Sequence, residues 1–331
     1  MKNIFIDYHL KKYPKMTTQD LIKLVYQEVL GPTHIITSDN LVLIKNYILN
    51  ELKEAKNPNE NLYEYLGNNY IRMNIHKYND LGFNFDDFLN LFVNSNQKVS
   101  DLNCFKTTIN NLLTKEDLKD YNYQPINHSS SFKEAYLPHY RIILSKYLTL
   151  EHKLSQIKNY LNSLPSKQII ALEGRCASGK TTISNYLKED YTIIEVDDFF
   201  LPMDKKTNER LSEIGGNINY ELIHETLKKL KVAIKDNEQT FTYLAFDCSS
   251  QAFYEKSVLL KDKIILEGVY SYHPCFQEYI DQLIYLHINK DEQLERINQR
   301  ALKNRFINEW IPMEEKYYDS IKVESICNLI I

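Results

Sequence analysis

Between residues 17 and 163 the apolar positions recur mainly at helical spacing. "TTQDLIKLVYQEVLGP" places Leu21, Leu24, Val25 and Val29 on one face, with Thr17 or Thr18 as the cap and Gly31-Pro32 as the stop. "SDNLVLIKNYILNELKEAK" repeats the pattern through Leu41, Ile44, Ile48 and Leu52, and "FDDFLNLFVN", "DLNCFKTTINNLLT" and "EHKLSQIKNYLNSL" follow it. One stretch differs: in "YIRMNIHKY", Ile71, Met73 and Ile75 alternate as in a short strand. After "NSLPSKQ" the pattern changes. Short apolar runs, "QIIALEG" (168–174), "YTIIEV" (191–196), "TFTYLAF" (240–246), "KIILEG" (263–268) and "QLIYLHI" (282–288), read as buried strands. Amphipathic helices are expected between and after them, at about 180–189, 220–236 and 290–304. Such alternation predicts a parallel sheet with helices on both faces. The chain therefore divides into a mainly α-helical domain, 1–162, and an α/β domain, 163–331.

Composition narrows the function. With 43% hydrophobic and 25% charged residues, and no window approaching a membrane span, the expectation is a soluble cytoplasmic protein without membrane attachment. "MKNIFIDYHLKKYPK" lacks the apolar core of a signal peptide. Five cysteines, odd in number and without a CxxC, read as reduced thiols. A net charge of −4 argues against nucleic acid as a partner, which needs a basic face. Of seven arginines, five (Arg175, Arg210, Arg296, Arg300, Arg305) lie in the second half of a lysine-rich chain, which suggests a use for the planar guanidinium there.

The chemistry concentrates after "QIIALE". "GRCASGKTT" (174–182) matches G-x-x-x-x-G-K-[ST] between an expected strand and an expected helix. Gly174 and Gly179 permit the tight path that turns successive N–H groups toward phosphates. The expected nucleotide cradle is Gly174, Arg175, Cys176, Ala177, Ser178, Gly179, Lys180, Thr181 and Thr182. Within it Lys180 would meet the β- and γ-phosphates, and the Thr181 hydroxyl would ligate Mg²⁺. "TIIEVDDFFLP" ends a strand in Asp197 and Asp198, at the edge where open α/β sheets bind ligands. "DKIILEGVYSYHP" ends another in Glu267, a second magnesium-side acid, with Gly268 expected to let the backbone pass close to a nucleotide. The Asp-Glu pair of motor ATPases is absent from it. "KDEQLERINQRALKNRF" sets Arg296 and Arg300 four apart, with Arg305 a turn later, as candidates to close over phosphates; a solvated charged face is the alternative. In the first half, His34, Arg72, His76, His128 and His139 are candidates for a polar pocket. They lack metal-site spacing, so structural histidines are the preferred reading.

Together, "GRCASGKTT", "VDDFFLP", "ERLSEIGGNINYE", "FTYLAFDC", "IILEGVYSYHP" and "LERINQR…WIPMEEKYY" resemble the uridine kinase-like branch of P-loop kinases, which includes pantothenate kinase and phosphoribulokinase. The resemblance covers about residues 165–331; the first half resembles an uncharacterised bacterial extension of such proteins. It implies transfer of the γ-phosphoryl group of ATP, with Mg²⁺, to a hydroxyl of a small metabolite. Asp197 is then the general base or a metal-side acid, with Asp198 its open competitor. Glu267 is a metal-side acid, Arg296 and Arg300 are lid arginines, and Arg305 is a further nucleotide contact. Asp198, Asn217, Tyr220, Tyr243 and Asp247 fall on acceptor-side segments. The "DHP"-like acceptor signature is missing from "GGNINYE", so a nucleoside-like or other hydroxylated acceptor fits the pattern as well as uridine. A different class, an ATP-binding regulatory protein with the helical half as effector, stands as the alternative.

Overall fold

The computed structural model describes residues 4–32, 40–58, 60–67, 69–96 and 102–331. His34 lies outside them. The chain forms two compact units, Met1–Tyr160 and Leu161–Ile331.

Unit 1 contains the expected helices, but they pack with a sheet that the hydrophobic pattern only hinted at. Its helices are α1 (Ile4–Lys12), α2 (Thr18–Leu30), α3 (Leu41–Glu51), α4 (Ile75–Asp80), α5 (Phe85–Ser95), α6 (Leu102–Leu112), α7 (Ser130–Tyr136) and most of α8 (Leu150–Ser163). Strands β1 (Tyr63–Gly67), β2 (Tyr70–Asn74) and β3 (Tyr140–Leu144) form an antiparallel sheet in that order. Among the described residues the unit is helices packed with a three-stranded sheet, where the pattern predicted a mainly helical domain with one short strand. Every residue of β1 and β2 is buried, so the alternation at Ile71 and Met73 is one of residue type and not of exposure, and Ile75 opens α4. Helix α2 stops as its sequence predicts, at Gly31 with φ of +67°.

Unit 2 is a five-stranded parallel sheet. Its strands are β4 (Gln168–Glu173), β5 (Thr192–Glu195), β8 (Lys263–Glu267), β9 (Gln282–Tyr285) and β10 (Leu329–Ile330), in the order β10-β9-β4-β8-β5. Helices α9 (Lys180–Leu187), α10 (Asn208–Ser212) and α11 (Tyr220–Lys235) precede β6 (Thr240–Asp247) and β7 (Ala252–Leu259). Helices α12 (Lys290–Asn298), α13 (Lys303–Arg305), α14 (Ile311–Ile321) and α15 (Val323–Ile326) follow β9. Central β4 is sealed by Ile169, Ile170 and Ala171, all fully buried. Burying an isoleucine side chain contributes about 1.5–3 kcal/mol.

Two expectations change. "TFTYLAF" is a strand, β6, but it pairs antiparallel with β7 in a two-stranded ribbon outside the parallel sheet. Its exposed Thr240, Thr242 and Leu244 alternate with buried Phe241, Tyr243 and Ala245, as one solvated face requires. The helix expected over 290–304 ends at Asn298, and the chain continues through α13 and a π-helical turn, Phe306–Trp310, into α14.

Candidate functional site

The carboxyl ends of β4, β5 and β8 meet at a cavity of about 300 Å³. The loop after β4 forms one wall. Gly174 has φ of +158°, and a Cβ there would stand 2.7 Å from the Leu286 carbonyl, so a side chain would displace backbone. Gly179 caps α9 at φ of +101°, a conformation that favours glycine. Ala177 adopts φ of +64°, which strains an ordinary residue least when its side chain is small. The first N–H groups of α9 (Lys180, Thr181, Thr182) lack intrahelical acceptors, which suits an anion.

Lys180, Thr181, Thr182, Cys176, Ala177 and Gly179 line the cavity. Lys180 Nζ donates to the carbonyls of Gly174 (2.6 Å) and Arg175 (3.0 Å), curling back on its own loop. Ser178 is buried and its hydroxyl has no partner among the described residues. Arg175 turns away from the cavity. It pairs with Glu315 at 2.8 Å and lies 4.4 Å from the centre of the Tyr318 ring, so it ties the loop to α14.

Two carboxylates face the loop. Asp197, in the 3₁₀ turn after β5, lines the cavity. Its side chain is exposed, yet the protein around it partly desolvates the carboxyl and raises its pKa; Glu195 and Asp198 add to the rise, and Lys180 opposes it. Glu267, the last residue of β8, is buried and pushed up to about 7 by that burial, Lys180 opposing and Asp197, Glu195 and Glu173 adding. Gly268 follows with φ of +150°, but the close approach expected there is to protein. A Cβ would sit 2.6 Å from Val196 Cβ.

The adjacent Asp198 is not on the cavity. It accepts from Tyr243 Oη at 2.7 Å and Lys256 Nζ at 2.9 Å, which fastens the 3₁₀ turn to the β6–β7 ribbon. Tyr243 is committed to the same contact. Asp247 is held at the ribbon turn by Ser249 and Ser250. Asn217 does line the cavity, and its buried Oδ1 has no partner among the described residues. Tyr220 lies elsewhere in the unit. It stacks on His273 at 4.7 Å, carries Arg210 3.6 Å above its ring and donates to Glu213.

The arginines divide as well. Arg300 lines the cavity, stacked 5.1 Å from the Phe306 ring centre, with no carboxylate partner among the described residues. Arg296 lies behind the loop, donating to the Ala177 carbonyl at 2.9 Å and to Glu292. Arg305 pairs with Glu309 over Trp310.

Sequence reasoning passed over Glu314, Glu173 and the aromatic wall. Buried Glu314 of α14 reaches the cavity and accepts the Cys176 N–H at 3.0 Å; burial raises its pKa against that bond and against Lys180. Glu173, fully buried at the end of β4, accepts from Gly174 N, Tyr318 Oη and Tyr317 Oη at 2.8–2.9 Å. Phe306, Trp310 and Tyr270 complete the wall. An acid inside an apolar run ("IIALEG") was the one available signal for Glu173.

Among the described residues no helix is long and apolar enough to cross a membrane, and no cluster of three or more His, Cys, Asp or Glu forms a ready metal site. No protein-family model and no curated protein matches the chain. Among solved structures it is similar to a possible uridine kinase from Bacillus stearothermophilus, with 16% identity and a TM-score of 0.45 over 56% of this chain and 100% of that one. A proposed fructose transport system kinase from Silicibacter sp. TM1040 is similar at 18% identity and a TM-score of 0.40, over 56% of this chain and 99% of that one. At these scores the assignment of unit 2 to an α/β fold with a phosphate-type loop rests on its own sheet order and loop.

Proposed function

We propose that unit 2 is a P-loop kinase that transfers the γ-phosphoryl group of ATP to a hydroxyl of a small, nucleoside-like metabolite. One observation carries the reading: Lys180 at the start of α9, Asp197 just after β5 and Glu267 at the end of β8 line one cavity. In this reading Asp197 accepts the proton of the attacking hydroxyl as the new O–P bond forms and the bond to ADP breaks. Its raised pKa suits a base that must hold a proton. Lys180 leaves the loop carbonyls for the phosphates, and Arg300 offers its guanidinium to the charge that develops on the transferred group. Asn217 Oδ1, otherwise unpaired, accepts from the acceptor molecule.

Thr181, Asp197 and Glu267 supply only oxygen donors, the set a magnesium ion takes while keeping several waters. Crowded acids with raised pKa values are what a dication relieves. When bound, the ion would neutralise phosphate charge. The test is incubation with γ-labelled ATP and pooled nucleosides, vitamins and sugar alcohols. A labelled phosphorylated product is expected, and ATP hydrolysis that no acceptor alters would sink the reading.

One contact favours a second reading, in which nucleotide binding is a signal. Glu314 already occupies the Cys176 N–H, so a phosphate entering the loop has to displace a carboxylate on α14. Mg-ATP binding without product from any acceptor, together with nucleotide-dependent proteolysis of residues 306–321, would support it.

A further inference from the structure

Unit 1 contains a buried cation whose cross-strand neighbour, Glu64, bonds to Lys12 and Tyr13 instead. Arg72 on β2 is 3% exposed, and a guanidinium does not shed its proton when buried. Histidines nearby respond to burial by losing theirs: burial and Arg72 hold His9 at about 4 and His128 at about 3. Arg72 has no carboxylate within salt-bridge distance among the described residues. Its recorded partners are the Gln27 side-chain oxygen, at 3.0 Å from Nε and 2.8 Å from Nη2, and the Tyr140 ring at 4.8 Å. A guanidinium has five N–H donors; with two spent on Gln27, three remain.

Arg72 also borders a cavity. Arg72 lines a hollow of about 20 Å³ with Tyr13, Glu60, Asn61, Glu64 and Tyr140. That is space for one or two water-sized groups. Glu64 is already engaged by Lys12 and by Tyr13 Oη, the latter at 2.6 Å. Glu60 accepts from Asn74, and burial together with Glu64 pushes its pKa up to about 8.

The guanidinium is also held in place. Gln27 Nε2 donates to Tyr140 Oη at 3.2 Å, and Tyr140 donates to His128 Nε2 at 2.5 Å. Neutral His128 donates from Nδ1 to Asp20 at 2.9 Å, and Asp20 also takes bonds from Ser129 Oγ and N. Each member passes a hydrogen bond onward from Arg72 to an anchored carboxylate. A fixed, dry cation with spare coplanar donors is the arrangement that reads a carboxylate bidentately.

We propose that this hollow in unit 1 is a binding site for a small carboxylate, with Arg72 as its charge anchor and Glu60 and Tyr140 beside it. The site is separate from the kinase reading and does not depend on it.

The test uses the full chain and acetate, formate and inorganic phosphate as probes, each against chloride at equal ionic strength. Acetate and formate should raise the thermal midpoint by a few degrees, growing with the logarithm of concentration, and saturation transfer should reach the acetate methyl. The response should survive Lys180→Ala, which removes the phosphate loop's cation, and vanish in Arg72→Met. Should Arg72→Met not fold, Asn61→Phe, which occupies the hollow while Arg72 is retained, must abolish the transfer instead. Phosphate, too bulky for the hollow, should give no shift in the Lys180→Ala background. No carboxylate effect above chloride, persistence in Arg72→Met or Asn61→Phe, or loss in Lys180→Ala overturns the assignment.

Discussion

Glu64 in unit 1 and Glu267 in unit 2 are about equally buried, at 9% and 6% exposure, yet their pKa values move in opposite directions. Burial works against ionisation at both. At Glu64, Lys12, His9 and Tyr13 outweigh it and hold the acid at about 2. At Glu267, Lys180 alone opposes, while Asp197, Glu195 and Glu173 add to the rise. The contrast extends to neighbours. Asp20 and Glu51 of unit 1 sit at about 2, whereas Asp197, Glu173 and Glu314 of unit 2 are all raised. Unit 1 pairs these acids with cations and hydroxyls, Glu60 excepted, and holds Arg72 without a direct ion pair among the described residues. Unit 2 satisfies its lysine with loop carbonyls and is left with crowded acids. Depth of burial sets the scale of each shift, and the partners decide its sign.

The largest break in this contrast should come from Asp197→Asn. Under the kinase reading it lowers acceptor-dependent turnover by about 10²–10⁴-fold. Trp310, the single tryptophan and a lining residue, should still report Mg-ATP binding by fluorescence. Retained turnover would remove Asp197 as base.

Next come two isosteric changes with opposite consequences for stability. A depressed carboxylate contributes stability above its unfolded pKa and loses it as pH falls. Glu64→Gln should therefore cost on the order of 2 kcal/mol at pH 7, the deficit fading from about pH 4.5 toward 2. A raised carboxylate does the reverse: without metal, stability falls as pH climbs from about 4.5 through 7. Glu267→Gln should remove that fall, gaining on the order of 2 kcal/mol at pH 8 in EDTA. Urea midpoints across pH measure both, and equal signs would end the comparison.

Gly268→Ala should cost about 1–3 kcal/mol, because its Cβ meets Val196; an unchanged urea midpoint would refute the contact. The smallest effect is expected from Arg175→Lys. It retains the charge near Glu315 but loses the flat stacking on Tyr318, for a loss of about 0.5–1 kcal/mol.

Much of unit 2 was legible because its signals are local. The phosphate-type loop occupies nine consecutive residues, and Asp197 and Glu267 stand out as acids closing apolar runs. What sequence could not supply was direction and distance. Asp197 and Asp198 are neighbours of one chemistry, and a 3₁₀ turn sends one to the cavity and the other to Tyr243. Glu173 finds Tyr317 and Tyr318 only through folding, since 144 and 145 positions separate them. The β6–β7 ribbon reads like part of the main sheet because β7, with six of its eight positions exposed, carries no apolar run. In unit 1, buried five-residue strands between helices left little periodicity to read. The chain from Arg72 to Asp20 spans contacts of 45 to 113 positions at its longest links.

The contact between Gly268 and Val196 has an evolutionary consequence. It clamps the ends of two neighbouring strands at backbone level, so the spacing of the acids that follow them is set by main chain. Under the kinase reading, a descendant that changed its acceptor would find no new room by adjusting that edge. Change would fall instead on lining residues outside that contact, such as Asn217, Phe306 and Trp310. Chemistry is inherited as a fixed part there, and selectivity is the part left free to drift.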